Sequence, residues 1–181
     1  MDHSVSKYPT KWQTDVGLIE MVQAEQADLI VVTEILNAAA AWLNAKGIAQ
    51  WQIPMPESAR TLLATEIANG HLFLAYLQDD KRPIGTLRID LGNSKLWPDR
   101  NTAAGYIYTL AIHPHFMGRK LGEALLAWAK NYLRAHGRTI LRLDCWAENT
   151  KLQHYYERLG FIYRGTVDDE GYPLRLYEIA I

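Results

Sequence analysis

The sequence is poor in cysteine and carries almost no net charge. Cys145 is the only cysteine among the 181 residues, which excludes an internal disulfide and a cysteine-rich metal site. Because Cys145 lies in an apolar run, we interpret it as an inert buried thiol and not as a nucleophile. The 19 Lys and Arg residues nearly balance the 20 Asp and Glu residues. This balance argues against a dedicated nucleic-acid binder or a polybasic membrane binder.

Long apolar runs and the common nucleotide-binding motifs are also missing. No apolar stretch approaches the roughly 20 residues that a membrane-spanning helix needs, and the first residues lack the apolar core of a signal peptide. We therefore expect a cytoplasmic protein with neither a membrane nor a nucleic acid as a partner. The sequence contains neither the Gly-Lys-Ser/Thr pattern of ATPases nor the Gly-x-Gly-x-x-Gly pattern of dinucleotide-binding domains. ATPase and nicotinamide chemistry therefore have no motif support.

What the sequence does contain is an alternation of strand and helix patterns in a chain of single-domain length. Apolar runs and helical spacing predict the element order β-α-α-β-β-β-α-β-α-β-β. With no internal repeat and no linker, this order indicates one α/β domain with a mixed central sheet. We assign residues 16–181 to the domain and residues 1–15 to an N-terminal extension that we expect to be loosely ordered.

The segment 111–126 combines the end of a strand, a glycine-containing bend and the start of a helix. The first turn of a helix exposes backbone N–H groups that have no partner, and the helix dipole favours negative charge there. Gly118 and Gly122 would leave these groups accessible, while Arg119 and Lys120 add positive charge. The segment fits a phosphate or pyrophosphate site, although glycines serving a plain turn beside solvated cations explain it about equally well.

Two later stretches decide between these interpretations. Leu143-Asp-Cys-Trp-Ala-Glu-Asn149 ends the next strand, and Gln153-His-Tyr-Tyr-Glu-Arg-Leu-Gly-Phe161 follows as a helix and then a strand. Together with strand 106–112 and its loop, they resemble the GCN5-related N-acetyltransferase (GNAT) superfamily. The resemblance extends in element order and motif from about Leu18 to the C-terminus. A bacterial subgroup with Ala41-Trp-Leu-Asn-Ala-Lys-Gly-Ile-Ala-Gln-Trp51 and Leu141-Arg-Leu-Asp-Cys-Trp-Ala-Glu-Asn149 is the most similar.

The resemblance implies that the loop 117–122 takes the pyrophosphate of acetyl-CoA on its backbone amides. Lys120 stands where the family pattern has its first glycine, and Met117 stands where the pattern has Arg or Gln. The resemblance also implies that strand 106–112 splays from strand 140–146 and frees backbone groups for the pantetheine arm. The cofactor-binding residues implied in this way are Leu110, Ala111, Ile112, Met117, Gly118, Arg119, Lys120, Leu121, Gly122 and Asn149.

The resemblance also implies one catalytic residue, Tyr156, as the general acid toward the sulfur of CoA. A phenol with a pKa of about 10 keeps its proton at neutral pH and can give it to a thiolate. We interpret the adjacent Tyr155 as the core residue of the pair. Strand 106–109 lacks the glutamate that many relatives use as base, so the base stays open between His113, Asp144 and a water beside Tyr108.

The acceptor is expected to enter between the first two helices and the last hairpin. Trp42, Trp51 and Trp97 could form walls there, and the acidic tip 168–170 could attract an amine, although core packing and a solvated turn explain the same residues. The resemblance implies an acetyl-CoA-dependent N-acetyltransferase that acts directly on a primary amine of a small molecule or on an exposed amino group. It implies no metal and a monomer or homodimer. The alternatives are a non-catalytic acyl-CoA sensor and a binding module for another nucleotide.

Overall fold

The computed structural model describes residues 10–79, 81–92, 94–99 and 101–181. These residues form an eight-stranded sheet in the order β1-β2-β3-β4-β5-β6-β8-β7, in which only the β5–β6 pair is parallel. The strands are β1 (Lys11–Thr14), β2 (Gly17–Gln23), β3 (Leu72–Leu77), β4 (Pro83–Asp90), β5 (Ala104–Ile112), β6 (Ile140–Trp146), β7 (Ile162–Asp169) and β8 (Tyr172–Ala180). The helices are α1 (Leu29–Asn44), α2 (Glu57–Ala68), α3 (Leu121–Ala135) and α4 (Thr150–Arg158), with short 3₁₀ turns at Gln26–Asp28 and Pro114–Phe116.

The predicted element order is confirmed with one addition, the strand β1. This strand lies inside the segment 1–15 that was assigned to the extension, and it pairs antiparallel with β2 through Trp12 and Ile19. A four-residue edge strand leaves too short an alternation of apolar and polar residues to stand out in a sequence. Loose order was expected for residues 1–15, but Lys11–Thr14 form β1, and residues 1–9 lie outside the described residues. The domain boundary at residue 16 stays a prediction.

The helices cover the sheet on both faces, as the alternation along β3 shows. Leu72 and Leu74 of this strand pack in the cluster of α1 and α2, whereas Phe73 and Ala75 pack in the cluster of α3 and α4. A strand that is covered on both faces is apolar at nearly every position, which explains why β3 is almost continuously hydrophobic.

Helix α1, with the 3₁₀ turn before it, is more apolar than we expected when we found no apolar stretch near 20 residues. The 19 residues Gln26–Asn44 are long and apolar enough to cross a membrane by length and composition alone, with a mean hydropathy of 1.2. In the structure this helix buries Val32, Ile35 and Leu36 against the sheet. Ile30 on the same helix is 60% exposed, so packing in the domain accounts for only part of its apolar composition.

The parallel strands β5 and β6 separate partway along their length. Their pairing ends at Ile107 and Leu143, after which β5 stays with β4 to Ile112 and β6 stays with β8 to Trp146. On β5, Thr109 has a φ of 49° next to a register shift in the β4–β5 ladder. A β-branched residue at positive φ is an outlier, and together with the shifted register it indicates a local bulge that turns the strand. The implied splay is confirmed, and it opens a gap in the sheet.

Candidate active site

A cleft of about 820 Å³ lies where β5 and β6 part. Its walls combine both strand ends, the loop before α3, the first turn of α3, one face of α4, the start of β8 and the segment before α2. A cleft of this size accommodates a small-molecule ligand of cofactor dimensions. The residues that line it at its two ends are Leu110, Ile112, Met117, Gly118, Lys120, Leu121, Gly122 and Tyr155 at one end, and Trp42, Gln50, Trp51, Tyr108, Asp144, Trp146 and Tyr172 at the other.

One end of the cleft is formed by the backbone at the start of α3. Among the described residues, none of the N–H groups of 118–123 donates a hydrogen bond, and the ladder of α3 begins only with Ala124 donating to the Lys120 carbonyl. Gly118 has a φ of 79° and Lys120 a φ of 55°. Successive N–H groups in such a turn, placed at a helix start, form a concave anion site. The structure therefore presents a row of unpartnered backbone N–H groups at the start of α3.

Lys120 takes the conformation that a glycine adopts most readily. As the N-cap of α3 it is left-handed, with φ 55° and ψ 17°. For a residue with a Cβ atom this conformation costs roughly 1–2 kcal/mol, a cost that glycine does not have. The lysine therefore keeps the loop geometry at the expense of backbone strain, and its exposed side chain adds a charge beside the N–H groups.

Gly122 allows α3 and α4 to approach closely. A Cβ atom at this position would lie 2.8 Å from the hydroxyl oxygen of Tyr155. This distance is too short for a carbon and an oxygen that are not hydrogen-bonded, so a larger residue would displace Tyr155 or the first turn of α3. Gly122 thus fixes the distance between the N–H groups and the aromatic side of the cleft.

The predicted cofactor-binding residues are only partly gathered at the cleft. Seven of them line it, namely Leu110, Ile112, Met117, Gly118, Lys120, Leu121 and Gly122. The side chain of Ala111 packs in the α1–α2 cluster on the other face of the sheet, so only its backbone faces the gap. Arg119 is exposed outside the cleft lining.

Asn149 acts as the N-cap of α4. Its side-chain oxygen accepts a hydrogen bond from the Leu152 N–H at 3.1 Å, and its amide nitrogen donates to Gln50 Oε1 at 2.6 Å. The residue is 4% exposed and does not line the cleft. Both ends of its carboxamide thus already have protein partners, and Gln50 stands between Asn149 and the cleft. The pantetheine contact implied for Asn149 stays a prediction that would require one of these bonds to exchange.

Tyr156 lies on the cleft side of α4 and is 5% exposed. Its ring packs against Phe161 at 5.5 Å and Tyr177 at 6.0 Å. Burial raises the pKa of Tyr156 well above 10, so the phenol stays protonated at neutral pH. Tyr155 is only half-buried and borders the cleft beside Gly122, so our interpretation of Tyr155 as the core member of the pair was wrong.

The three candidates for a base differ clearly in position. The ring of His113 caps the turn Pro114–Phe116, lies against His115 and Phe116, and is not part of the cleft lining. Tyr108 lines the cleft, but burial raises its pKa to about 12. Asp144 lines the cleft, and burial raises the pKa of its carboxyl to about 6. Asp144 and the place for a water beside Tyr108 thus both lie at the cleft, whereas His113 does not, and the identity of the base stays a prediction.

The acceptor end is lined by aromatic residues, of which the sequence suggested two. Trp42 and Trp51 lie in the wall, but Trp97 does not: it packs on Tyr106 and under Arg142, whose guanidinium carbon lies 4.0 Å from the indole centroid. The remaining aromatic walls are Tyr108, Trp146 and Tyr172. The rings of Trp146 and Tyr172 stack at 5.7 Å with an interplanar angle of 15°.

The acidic hairpin tip contributes little to the cleft itself. Asp168 accepts a hydrogen bond from the Gly171 N–H at 2.6 Å and so closes its own turn. Asp169 acts on the site only through its negative charge, which raises the pKa of Asp144. Neither residue lines the cleft.

The single thiol is buried, as predicted. Cys145 is 3% exposed, and burial raises its pKa to about 12. A thiol that stays protonated is a poor nucleophile.

Within the described ranges, no group of three His, Cys, Asp or Glu residues is arranged to hold a metal ion.

The splayed strands and the unpartnered N–H groups at the start of α3 shape one cleft in a fold that known proteins share. Residues 33–161 match the family model for the acetyltransferase (GNAT) family. The uncharacterized N-acetyltransferase YesJ of Bacillus subtilis is 28% identical over 153 residues, which cover 82% of this chain and 84% of YesJ. The chain therefore belongs to the GNAT family of acetyltransferases, and it is an acyltransferase enzyme.

Solved structures agree on the fold. A GNAT-family acetyltransferase from Listeria monocytogenes has a TM-score of 0.75 at 20% identity, covering 94% of this chain and 99% of its own. The yncA protein of Salmonella typhimurium, solved with its cofactor acetyl-CoA, has a TM-score of 0.63 at 17% identity over 90% and 93% of the two chains. Together with the family match, these neighbours support acetyl-CoA as the cosubstrate.

Proposed function

We propose that this protein transfers the acetyl group of acetyl-CoA directly to a primary amine, either on a small molecule or on an exposed amino group. The observation that carries the proposal is the pairing, in one cleft, of the unpartnered N–H groups of 118–123 with the protonated phenol of Tyr156. The first feature suits a pyrophosphate, and the second suits a departing thiolate.

The residues present fit acetyl-CoA at the start of α3 and along the gap between β5 and β6. The N–H groups of 118–123 would hold the pyrophosphate, with Lys120 adding a charge-assisted contact. The gap between β5 and β6 exposes backbone groups that would align the pantetheine arm. An N–H group of β5 near Leu110 or Ile112 would polarise the thioester carbonyl, as an oxyanion donor does.

Direct transfer is favoured over a covalent acyl-enzyme route. The only thiol, Cys145, is held protonated by burial and would have to lose its proton before it could attack. An ammonium group becomes a good nucleophile once it has lost a proton and the neutral amine lies against the carbonyl carbon. Positioning alone then removes much of the barrier. Tyr156 then supplies the proton that the sulfur requires.

Two measurements test the proposal. Calorimetry with CoA, ATP and NAD should show binding of CoA alone or clearly strongest, and stronger binding of ATP would contradict it. A thiol-release assay with acetyl-CoA and a panel of primary amines should then show turnover with at least one amine. Intact CoA binding without turnover on any amine would favour the acyl-CoA sensor instead.

A further inference from the structure

The acceptor end of the cleft contains one charged residue among aromatic walls. Its lining in the described residues comprises Trp42, Trp51, Tyr108, Trp146 and Tyr172 with Asp144. The other charged lining residues, Lys120, Glu123 and Arg158, belong to the opposite end of the cleft. There Glu123 already pairs with Arg158 at 2.9 Å.

We infer that the acceptor is a small primary ammonium compound with a flat, preferably aromatic, body, and that Asp144 binds its ammonium group and takes its proton. This inference rests on the proposed function, since it identifies the substrate class and the base of the same cleft. It follows from charge complementarity between one carboxylate and one ammonium, and from the shape and polarity of the walls.

The aromatic walls are fixed before any ligand arrives. The hydroxyl of Tyr172 donates to the Gln50 carbonyl at 2.7 Å, and Gln50 Oε1 accepts from Asn149 at 2.6 Å. These bonds attach the segment that carries Trp51 to both β8 and α4. Rigid aromatic walls bind flat ligands with little loss of conformational entropy.

Asp144 is placed to meet the ammonium. It follows Leu143, the last β6 residue paired with β5, so it lies at the apex of the gap. Its carboxylate makes no side-chain hydrogen bond within the part of the chain that the structure describes, which leaves its oxygens available to a ligand. The ionisable groups that act on it are Arg88 on β4, Asp169 on β7, Tyr108 on β5, the neighbouring Cys145, and Tyr156 on α4.

Arg88 does not neutralise Asp144. Its guanidinium carbon lies 4.0 Å from the ring centroid of Tyr108, and its Nη1 lies 3.5 Å from Glu66 Oε1. The positive charge of Arg88 therefore acts on two carboxylates, those of Glu66 and Asp144. The result is a carboxyl with a pKa of about 6, which is ionised at neutral pH and still able to accept a proton.

The proton balance requires such a group. Asp144 takes one proton from the ammonium and passes it to solvent, and the freed nitrogen lone pair forms the C–N bond as the C–S bond breaks. Tyr156 gives its proton to the departing thiolate. The nitrogen then loses a second proton, and the Tyr156 phenolate takes up one proton in its place. The products are the N-acetylated amine, CoA and one proton released to water.

The number of carboxylates at the acceptor end distinguishes a compound with one ammonium group from a polyamine. A polyamine carries several ammonium groups, and each needs a carboxylate or another oxygen acceptor in a site closed to water. The acceptor end offers one carboxylate. A single ammonium with an apolar body is therefore the better match.

The first test compares amines on the unmodified protein. We expect 2-phenylethylamine to have a kcat/KM at least tenfold above those of 2-aminoethanol and spermidine. With CoA bound, 2-phenylethylamine should also raise the melting temperature more than the other two do. Equal or reversed preferences would overturn the substrate class, whereas the absence of turnover with every amine would contradict the proposed function instead.

The second test replaces Asp144 and compares it with a matched exposed carboxylate, Glu34 on α1. Asp144→Asn should lower kcat/KM for the preferred amine about 10²-fold at pH 7, with recovery as the pH rises toward the pKa of the free amine. Acetyl-CoA affinity should stay within twofold, and Glu34→Gln should leave activity unchanged. An Asp144→Asn variant within twofold of the parent, with an unchanged pH profile, would overturn the role of Asp144. A loss at pH 7 that does not recover at high pH would also overturn it.

Discussion

The two ends of the cleft offer a ligand different kinds of groups. The proposed phosphate end offers consecutive N–H groups at the start of α3. The proposed acceptor end offers side chains on five separate segments of the chain. A backbone site tolerates a change of side chain as long as the φ and ψ angles persist, whereas a side-chain site changes specificity with a single substitution. The difference explains how one fold can keep acetyl-CoA and exchange its acceptor.

Among the predicted changes, the largest loss of activity should come from Tyr156, which we place between the two ends of the cleft. Tyr156→Phe removes the proposed proton donor without leaving a cavity, so we expect kcat to fall about 10²-fold while acetyl-CoA affinity stays nearly constant. Steady-state kinetics across pH, with calorimetry for affinity, measure both. Tyr163→Phe, which alters an exposed phenol on β7, is the control. A kcat within twofold of the parent at every pH would exclude Tyr156 as the donor.

The second-largest effect should come from crowding the phosphate end. Gly122→Ala places a Cβ atom 2.8 Å from the Tyr155 hydroxyl oxygen, and the resulting shift of α3 should weaken acetyl-CoA binding about tenfold. The double variant Gly122→Ala with Tyr155→Phe removes that oxygen and should recover most of the affinity. If the double variant binds no better than Gly122→Ala, the contact with Tyr155 is not the cause.

The folded protein should become more stable when the buried charge of Asp144, at the acceptor end, is removed. The pKa of Asp144 is raised to about 6 from 3.8, so between these values the folded state binds more protons than the unfolded state, and stability falls as pH rises through this window. Asp144→Asn should therefore raise the free energy of unfolding at pH 7.5, by at most about 3 kcal/mol. The gain should shrink below pH 6 and vanish near pH 4. Denaturant titration at several pH values measures it, and a gain that does not depend on pH would contradict this origin.

The smallest effect should come from Lys120, where charge and backbone can be separated. Lys120→Gly removes the charge and the strain of φ 55°, whereas Lys120→Ala removes the charge alone. The glycine variant should be about 1 kcal/mol more stable than the alanine variant. Both should bind acetyl-CoA equally well, within a few-fold of the parent, if the N–H groups dominate. A large and equal loss of affinity in both would assign the binding to the ammonium group.

A sequence reveals a candidate phosphate end more readily than the walls of an acceptor end, for a physical reason. Residues 117–122 are contiguous, and helix geometry dictates what a glycine-containing helix start can bind. The acceptor wall joins Trp146 on β6 to Tyr172 on β8, and nothing in the local sequence around Tyr172 indicates that partner. Trp97 looked equally suited to a wall, yet Arg142 and Tyr106 hold it elsewhere.

Asn149 and β1 show two further limits of the sequence. The cap at Asn149 could be predicted from its position before a helix, but its bond to Gln50 joins residues 99 positions apart. The strand β1 is too short to give a pattern of its own, and its partner β2 completes it. The contact of Asn149 therefore lies outside any local window, whereas β1 pairs with its sequence neighbour β2 and is missed only because it is short.

The hydrogen bonds from Tyr172 and Asn149 to Gln50 have a consequence for how this enzyme could diversify. They attach the segment between α1 and α2 to β8 and α4, and the Met55 N–H donates a further bond to Asn37 Oδ1 on α1 at 3.1 Å. None of these three bonds involves the start of α3. Insertions or exchanges in this segment would therefore alter the chamber for the amine and leave the thioester in register. New substrates could be acquired by replacing one surface loop, with the catalytic centre inherited unchanged.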